Sequence, residues 1–311
     1  MARTIVCLLF FALLGQGWNA VGHRAVAGHA YDQLTKQARQ RVDELIRKHP
    51  DYKLLVAGAT GSEKDKARYA FMSAAVWPDT IKGDPRFYDE ARSDAKPTPT
   101  LPGFPDMKQR RNWHYINKPF SQDGTPLLEP PVPNALTQLH WIIERIANKT
   151  TGTASLEDPV YLLPWLLHVG GDEFQPLHCV ARFRKGQLDR DGKPMGDLGG
   201  NSVILMGGQN LHAYWDDSLG STASPTYVEG VIKQLRKQDH EKKPVLEPSV
   251  WVDEGLAIAK RDVYSFDPEA GTKENPVKLD ENYAIRARKI ALQRAALGGQ
   301  RLAALLNEKL K

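Results

Sequence analysis

Cysteine is nearly absent from this chain: of 311 residues, only Cys7 and Cys179 carry a thiol. Cys7 lies in a segment that reads as a secretory signal peptide, residues 1–17, with a positive Arg3, the apolar run Ile5 to Leu14 and the small residues Gly15 and Gly17. Cleavage after Gly17 leaves Cys179 alone, excludes an internal disulfide and passes stability to the core and to any metal. We read Cys179 as a packed, inert thiol although it adjoins a candidate ligand. No apolar run approaches the roughly 20 residues that a membrane span requires. Internal repeats and low-complexity tracts are also missing, so no repeat architecture is expected and residues 18–311 are read as one domain. Positive charge exceeds negative by only +5, or +4 once Arg3 is gone, too little by itself to argue for a nucleic-acid partner.

Strand signals are few as well, and what is present is mainly helical. Apolar positions recur at helical spacing from Gly22 to Lys48, over residues 64–76, 135–148, 158–172, 211–218, 225–236 and 250–262, and from Asn282 to Leu310. Gly298-Gly299 is expected to kink or divide the last of these. One arm of a small hairpin is expected at Asn201 to Met206, and long loops at Asp84 to Gln109, Pro119 to Pro133 and Ala181 to Asp197.

The chemistry concentrates in LPWLLHVGGDEFQPLH, residues 163–178. His168 and Asp172 are one helical turn apart, so an imidazole nitrogen and a carboxylate oxygen can converge on one cation. His178 follows a Gln-Pro break and can reach a second ion. His212 and Asp216, in LHAYWD, repeat the pairing, and together the two pairs point to zinc in more than one position and to a metal-dependent hydrolase.

Other segments are open to two readings. A chain beginning at Trp18 places a free amine five residues before His23, and such an amine can ligate zinc at neutral pH; an apolar plug and an ordinary histidine are the alternative. Asp79 in WPDTIK is a ligand or a helix cap, and Lys82 can stabilise a phosphoryl oxygen. His114 beside Tyr115 is a ligand next to a base-stacking ring, or part of a packed aromatic cluster. In GDLGGN, residues 196–201, a glycine turn brings the Asn201 amide near a phosphate oxygen or merely reverses the chain. His29, His49, His140 and His240 lack partners at ligand spacing and are read as structural or solvated.

Taken together, Trp18, His23, Asp79, His114, His168, Asp172, His178, His212 and Asp216 resemble, in order, the nine ligand positions of the trinuclear-zinc, single-strand-specific nuclease and 3′-nucleotidase family, the S-one/P-one type. The resemblance runs through the whole mature chain to GGQRLAALLNE. It implies a mainly α, single-domain, multi-helix fold of the zinc phospholipase C and S-one/P-one nuclease type, with a small β-hairpin and long loops. It implies three Zn2+: one on Asp79, His114, His168 and Asp172; one on Trp18 and His23 with Asp172 bridging; one on His178, His212 and Asp216. Lys82 and Asn201 match the family's phosphate-site residues, and Tyr115 its base-stacking aromatic; Asp79, Lys82 and Asn201 are the residues expected to act in catalysis. Two departures stand out: Phe174 replaces a histidine often found in that segment, and the Ala181 to Asp197 loop is longer than in plant and fungal members.

The function so implied is a secreted or periplasmic, monomeric endonuclease that hydrolyses single-stranded DNA and RNA to 5′-phosphorylated products and acts on 3′-nucleotides. No stable protein partner and no membrane association are expected. A zinc phospholipase C and a non-catalytic secreted zinc-binding protein are the alternatives.

Overall fold

A computed structural model describes residues 18–238 and 241–311; the expected signal peptide and His240 lie outside the described residues. In chain order the elements are α1 (Ala20–Asp32), α2 (Lys36–Lys48), α3 (Tyr52–Leu55), α4 (Glu63–Ala74), α5 (Trp77–Thr80), β1 (Lys118–Ser121), α6 (Ala135–Arg145), α7 (Pro159–Asp172), β2 (Val180–Leu188), β3 (Pro194–Gly196), α8 (Leu211–Asp216), α9 (Pro225–Leu235), α10 (Pro248–Ile258) and α11 (Glu281–Lys309). The protein is mainly α, with one small sheet among the described residues, as the sequence leads one to expect. None of the described helices is long and apolar enough to cross a membrane.

The hub is α7. Asp158 caps it by accepting from Val160 N, Pro159 starts it, and all of its residues are buried, which is why its sequence is apolar on every side. Helices α1, α2, α5, α6 and α11 pack around it. Most of α1 is also buried, and its run of Ala25, Val26, Ala27 and Ala30 lets α11, α4 and α9 approach closely. A second core joins the sheet to α8, α10 and the start of α11 through Phe120, Val180, Trp215, Val252, Tyr264 and Tyr283.

Four expectations need correction. The stretch from Gly22 to Lys48 is two helices, because the Thr35 side chain accepts from Ala38 N and opens α2. Asn201 to Met206 is not a strand: Val203 and Leu205 are buried, but Ile204 N donates to Gly271 O, Leu205 N to Gln209 O and Met206 N to Val277 O in irregular pairings. The strands lie instead in two of the expected loops, where β2 pairs in parallel with β1, Lys118 opposite Val180, and antiparallel with β3. Finally, Gly298-Gly299 neither kinks nor divides α11, which runs unbroken over 29 residues. These glycines serve close approach: a Cβ on Gly298 would fall 2.8 Å from Phe174 Cδ2, and one on Gly299 2.7 Å from His29 Cδ2.

Candidate metal centre

The candidate ligands are delivered partly by the buried helices α1 and α7 and partly by single turns. On α7, the i,i+4 spacing brings His168 Nε2 to 3.2 Å from Asp172 Oδ2. From α1, His23 Nε2 lies 3.2 Å from Asp172 Oδ1 and 3.8 Å from Asp79 Oδ2, and its ring stacks on His168 with centroids 4.0 Å apart. The single turn of α5 carries Asp79, whose Oδ1 is 3.6 Å from His168 Nε2 and 3.7 Å from His114 Nδ1. His114 follows a 3-10 turn, Arg111–Trp113, and its Nδ1 lies 2.8 Å from His168 Nε2.

A second group adjoins the first. The 3-10 turn Pro176–His178 ends on His178, and α8 carries His212 and Asp216, with His212 Nε2 3.7 Å from Asp216 Oδ2. His178 Nδ1 is 3.7 Å from Asp172 Oδ2, so Asp172 lies between the groups. Three sets of donor atoms fall within 4.8 Å of one another: His23, Asp79 and His168; His114, His168 and Asp172; and His178, His212 and Asp216. All eight of these side chains are buried.

Hydrogen bonding argues that cations belong here. His168 Nδ1 lies 2.7 Å from Ala75 O, His178 Nδ1 2.6 Å from His114 O and His212 Nδ1 2.7 Å from Gly199 O. A carbonyl only accepts, so each Nδ1 carries a proton, and each ring in its neutral form would present a lone pair at Nε2. The Nε2 atoms of His178 and His212 are 3.1 Å apart, close to the separation of about 3.3 Å expected for two tetrahedral ligands at zinc–nitrogen distances of about 2.0–2.1 Å. Both Asp172 oxygens and both His23 nitrogens are buried without a hydrogen-bond partner. Such groups are costly unless a cation satisfies them.

The electrostatics divide the imidazoles: burial lowers His168, but Asp172 and Asp79 outweigh it and raise that ring. Burial pushes the His114 and His212 imidazoles down to about 3, with Lys82 and His178 adding to the effect, and burial and His168 lower His23. Neutral imidazole is the form that binds metal. Burial alone would raise Asp172 and Asp79. Instead His168, His178 and His23 hold Asp172, and Lys82, His168 and His114 hold Asp79, well below the ordinary carboxylate range. Asp216 moves the other way, pushed well above that range by burial against a hydrogen bond from the Gln175 amide.

The remaining candidates are placed as follows. Lys82 Nζ donates to Asp79 Oδ1 at 2.7 Å. Tyr115 is 37% exposed, enough to offer a ring face. Asn201 Nδ2 donates to Leu198 O at 2.8 Å, in the turn whose Gly199 carbonyl meets His212. Trp18 is buried, and its indole Nε1 donates to Gly171 O at 3.2 Å, beside Asp172. Among the histidines set aside, His29 and His49 are buried and His140 pairs with Glu247 at the surface. Cys179 is a buried free thiol against Glu173, and Phe174 packs on Trp251.

Several contributors escape sequence reasoning. Gln175, which holds Asp216, looks like part of a loop, and the carbonyls of Ala75, His114 and Gly199 have no residue-type signature. Asp51 accepts from Trp77 Nε1 at 2.9 Å and from Arg86, which anchors α5 and hence Asp79. A buried tryptophan two residues before a candidate ligand was the available signal.

Comparison with known proteins gives an independent view of the chain. The model of the S1/P1 nuclease family matches residues 18–311. Endonuclease 2 of Arabidopsis thaliana is 24% identical over 322 aligned positions, which cover 97% of this chain and 93% of that protein.

Proposed function

This chain belongs to the S1/P1 nuclease family, and from that premise we propose that it is a zinc-dependent endonuclease for single-stranded DNA and RNA that also acts on 3′-nucleotides. Membership makes it a nuclease and hence a hydrolase of nucleic acid. The observation that supports the zinc reading most is the pair of Nε2 atoms that His178 and His212 turn toward each other, beside the unsatisfied oxygens of Asp172.

In this reading Asp79, His114, His168 and Asp172 would hold one zinc, Trp18 and His23 a second shared through Asp172, and His178, His212 and Asp216 a third. Zinc bound there supplies Lewis acidity and lowers the pKa of water from 15.7 to about 7. Asp79, kept ionised beside Lys82, accepts a hydrogen bond from the attacking water and orients it. The Lys82 ammonium and the Asn201 amide stabilise negative charge that grows on the phosphoryl oxygens. Tyr115 stacks on a base, a contact that contributes about 1–3 kcal/mol whatever the base. An unstacked strand can offer that base while its phosphate reaches recessed ligands; a stiff duplex resists the geometry. The products are 5′-phosphorylated nucleotides. Trp18 can offer an amine only after residues 1–17 are removed, so the reading includes a cleaved leader and a secreted or periplasmic enzyme.

A substrate panel tests this: single-stranded DNA, RNA, duplex DNA, a 3′-nucleotide and phosphatidylcholine, each with and without chelator. Cleavage of the single strands and the 3′-nucleotide, lost with chelator, is expected. Folded, zinc-loaded protein that cleaves neither single-stranded DNA nor RNA sinks the reading, and turnover of phosphatidylcholine alone replaces it with a phospholipase. Intact-mass measurement of the exported protein checks that it begins at Trp18.

A further inference from the structure

We propose that Asp197 is a positioning residue: one buried carboxylate sets the turn that aims both the His212 imidazole and the Asn201 amide. The proposal rests on the zinc-nuclease reading above. The turn is an unfavourable one, since Leu198, Gly199 and Gly200 all adopt left-handed backbone, with φ of 56°, 63° and 80°. For leucine that conformation is sterically unfavourable. Gly199 is also wedged, because a Cβ there would fall 2.2 Å from Leu177 O and 3.2 Å from His212 Nδ1. Something must hold this backbone in place, and the Asp197 side chain does.

Asp197 Oδ1 accepts from Arg182 N at 2.9 Å and from Gly200 N at 3.2 Å, and Oδ2 accepts from the Tyr264 hydroxyl at 2.8 Å. Arg182 Nε lies 3.8 Å from Oδ2. The guanidinium is buried over the rings of Tyr264 and Phe266 and makes no hydrogen bond of its own, so Asp197 is the carboxylate that faces it. The clamped turn then presents two carbonyls. Gly199 O takes the Nδ1 proton of His212 and so turns Nε2 toward His178, while Leu198 O orients the Asn201 side chain. Partners one shell out from a metal typically control about 10–100-fold in metal affinity or activity.

The alternative is a turn cap that serves stability alone. Asp123 provides the comparison, because it caps a turn in the same way through Ser121, Thr125 and Lys185, none of them site residues. Zinc-loaded wild type, Asp197→Asn, Tyr264→Phe and Asp123→Asn are titrated with a chromophoric chelator, and the zinc released is counted. Asp197→Asn is expected to give up one zinc equivalent at about 10–100-fold lower chelator while keeping the rest as wild type does. Tyr264→Phe shifts the same equivalent less, and keeps the test open should Asp197→Asn not fold; Asp123→Asn shifts nothing. With zinc in excess, Asn201→Ala costs less kcat in the Asp197→Asn background than in wild type, as coupled residues should show. Release of zinc in the wild-type order and range from both Asp197→Asn and Tyr264→Phe overturns the proposal, as does strict additivity with Asn201→Ala. A wild type that takes up no zinc overturns the functional reading itself, which is a separate outcome.

Discussion

His178 and His212 face each other across 3.1 Å, Nε2 to Nε2, while the Nδ1 of each ring lies on a backbone carbonyl. Two lone pairs at that range repel unless a proton or a metal ion lies between them. Stripping the metal is therefore expected to abolish activity and to lower the melting temperature by several degrees, with both restored by zinc, since a ligand that binds only the native state stabilises it by mass action. Differential scanning calorimetry with and without chelator measures this; an unchanged melting temperature and undiminished cleavage would count against any metal at the site.

Lys82 donates to Asp79 at 2.7 Å and is not among the residues that would hold zinc. Lys82→Ala should lower kcat about 10²–10³-fold, the scale for loss of one charge-stabilising donor, while the zinc content measured by elemental analysis stays at the wild-type value. Full activity in the variant would remove Lys82 from the mechanism.

Gly299→Ala sets two effects against each other. Alanine is favoured over glycine in a helix interior by about 1 kcal/mol. Yet its Cβ would meet His29 Cδ2 at 2.7 Å and Val26 O at 3.1 Å, and overpacking of this kind costs about 1–3 kcal/mol. Because Val26 O is backbone and cannot swing aside, the clash should win. A net loss of up to about 2 kcal/mol is expected in urea denaturation; a gain would mean that α1 and α11 have slack between them.

Acid should weaken the fold through His49. Burial, aided by Arg86 and opposed by Asp51, pushes its imidazole down to about 4 from 6.5. Between those values the unfolded chain binds a proton that the native chain does not, so the contribution is complete above pH 6.5 and disappears as pH falls toward 4. Its full size is at most about 3 kcal/mol. His49→Asn should flatten the fall in stability across that window relative to wild type, as read from denaturation midpoints at stepped pH.

The parts of the site visible in the sequence are those that local geometry dictates. His168 with Asp172, and His212 with Asp216, are legible because a helix fixes what four residues of separation means. What was hidden depends on distant partners. β2 reads as a solvated loop because Arg182, Arg184 and Lys185 fall within it, and nothing local reveals that Arg182 is buried against Tyr264 and Asp197. Gly298-Gly299 carries the same letters whether it breaks a helix or admits Phe174 and His29. The break before α2, by contrast, was readable from Thr35, an N-cap residue type placed just ahead of a polar helix start.

The seating of α1 against α11 has a further consequence. His23 rides on α1, and α1 finds its place against Gly299 and, at its end, through Asn307, whose side chain accepts from Thr35 N and donates to Gln33 O. α1 also packs on α4, α7 and α9, so its seat is complete only once α11 has docked beside them. Closure of the site around His23 is therefore tied to the docking of α11, an element far away in the sequence.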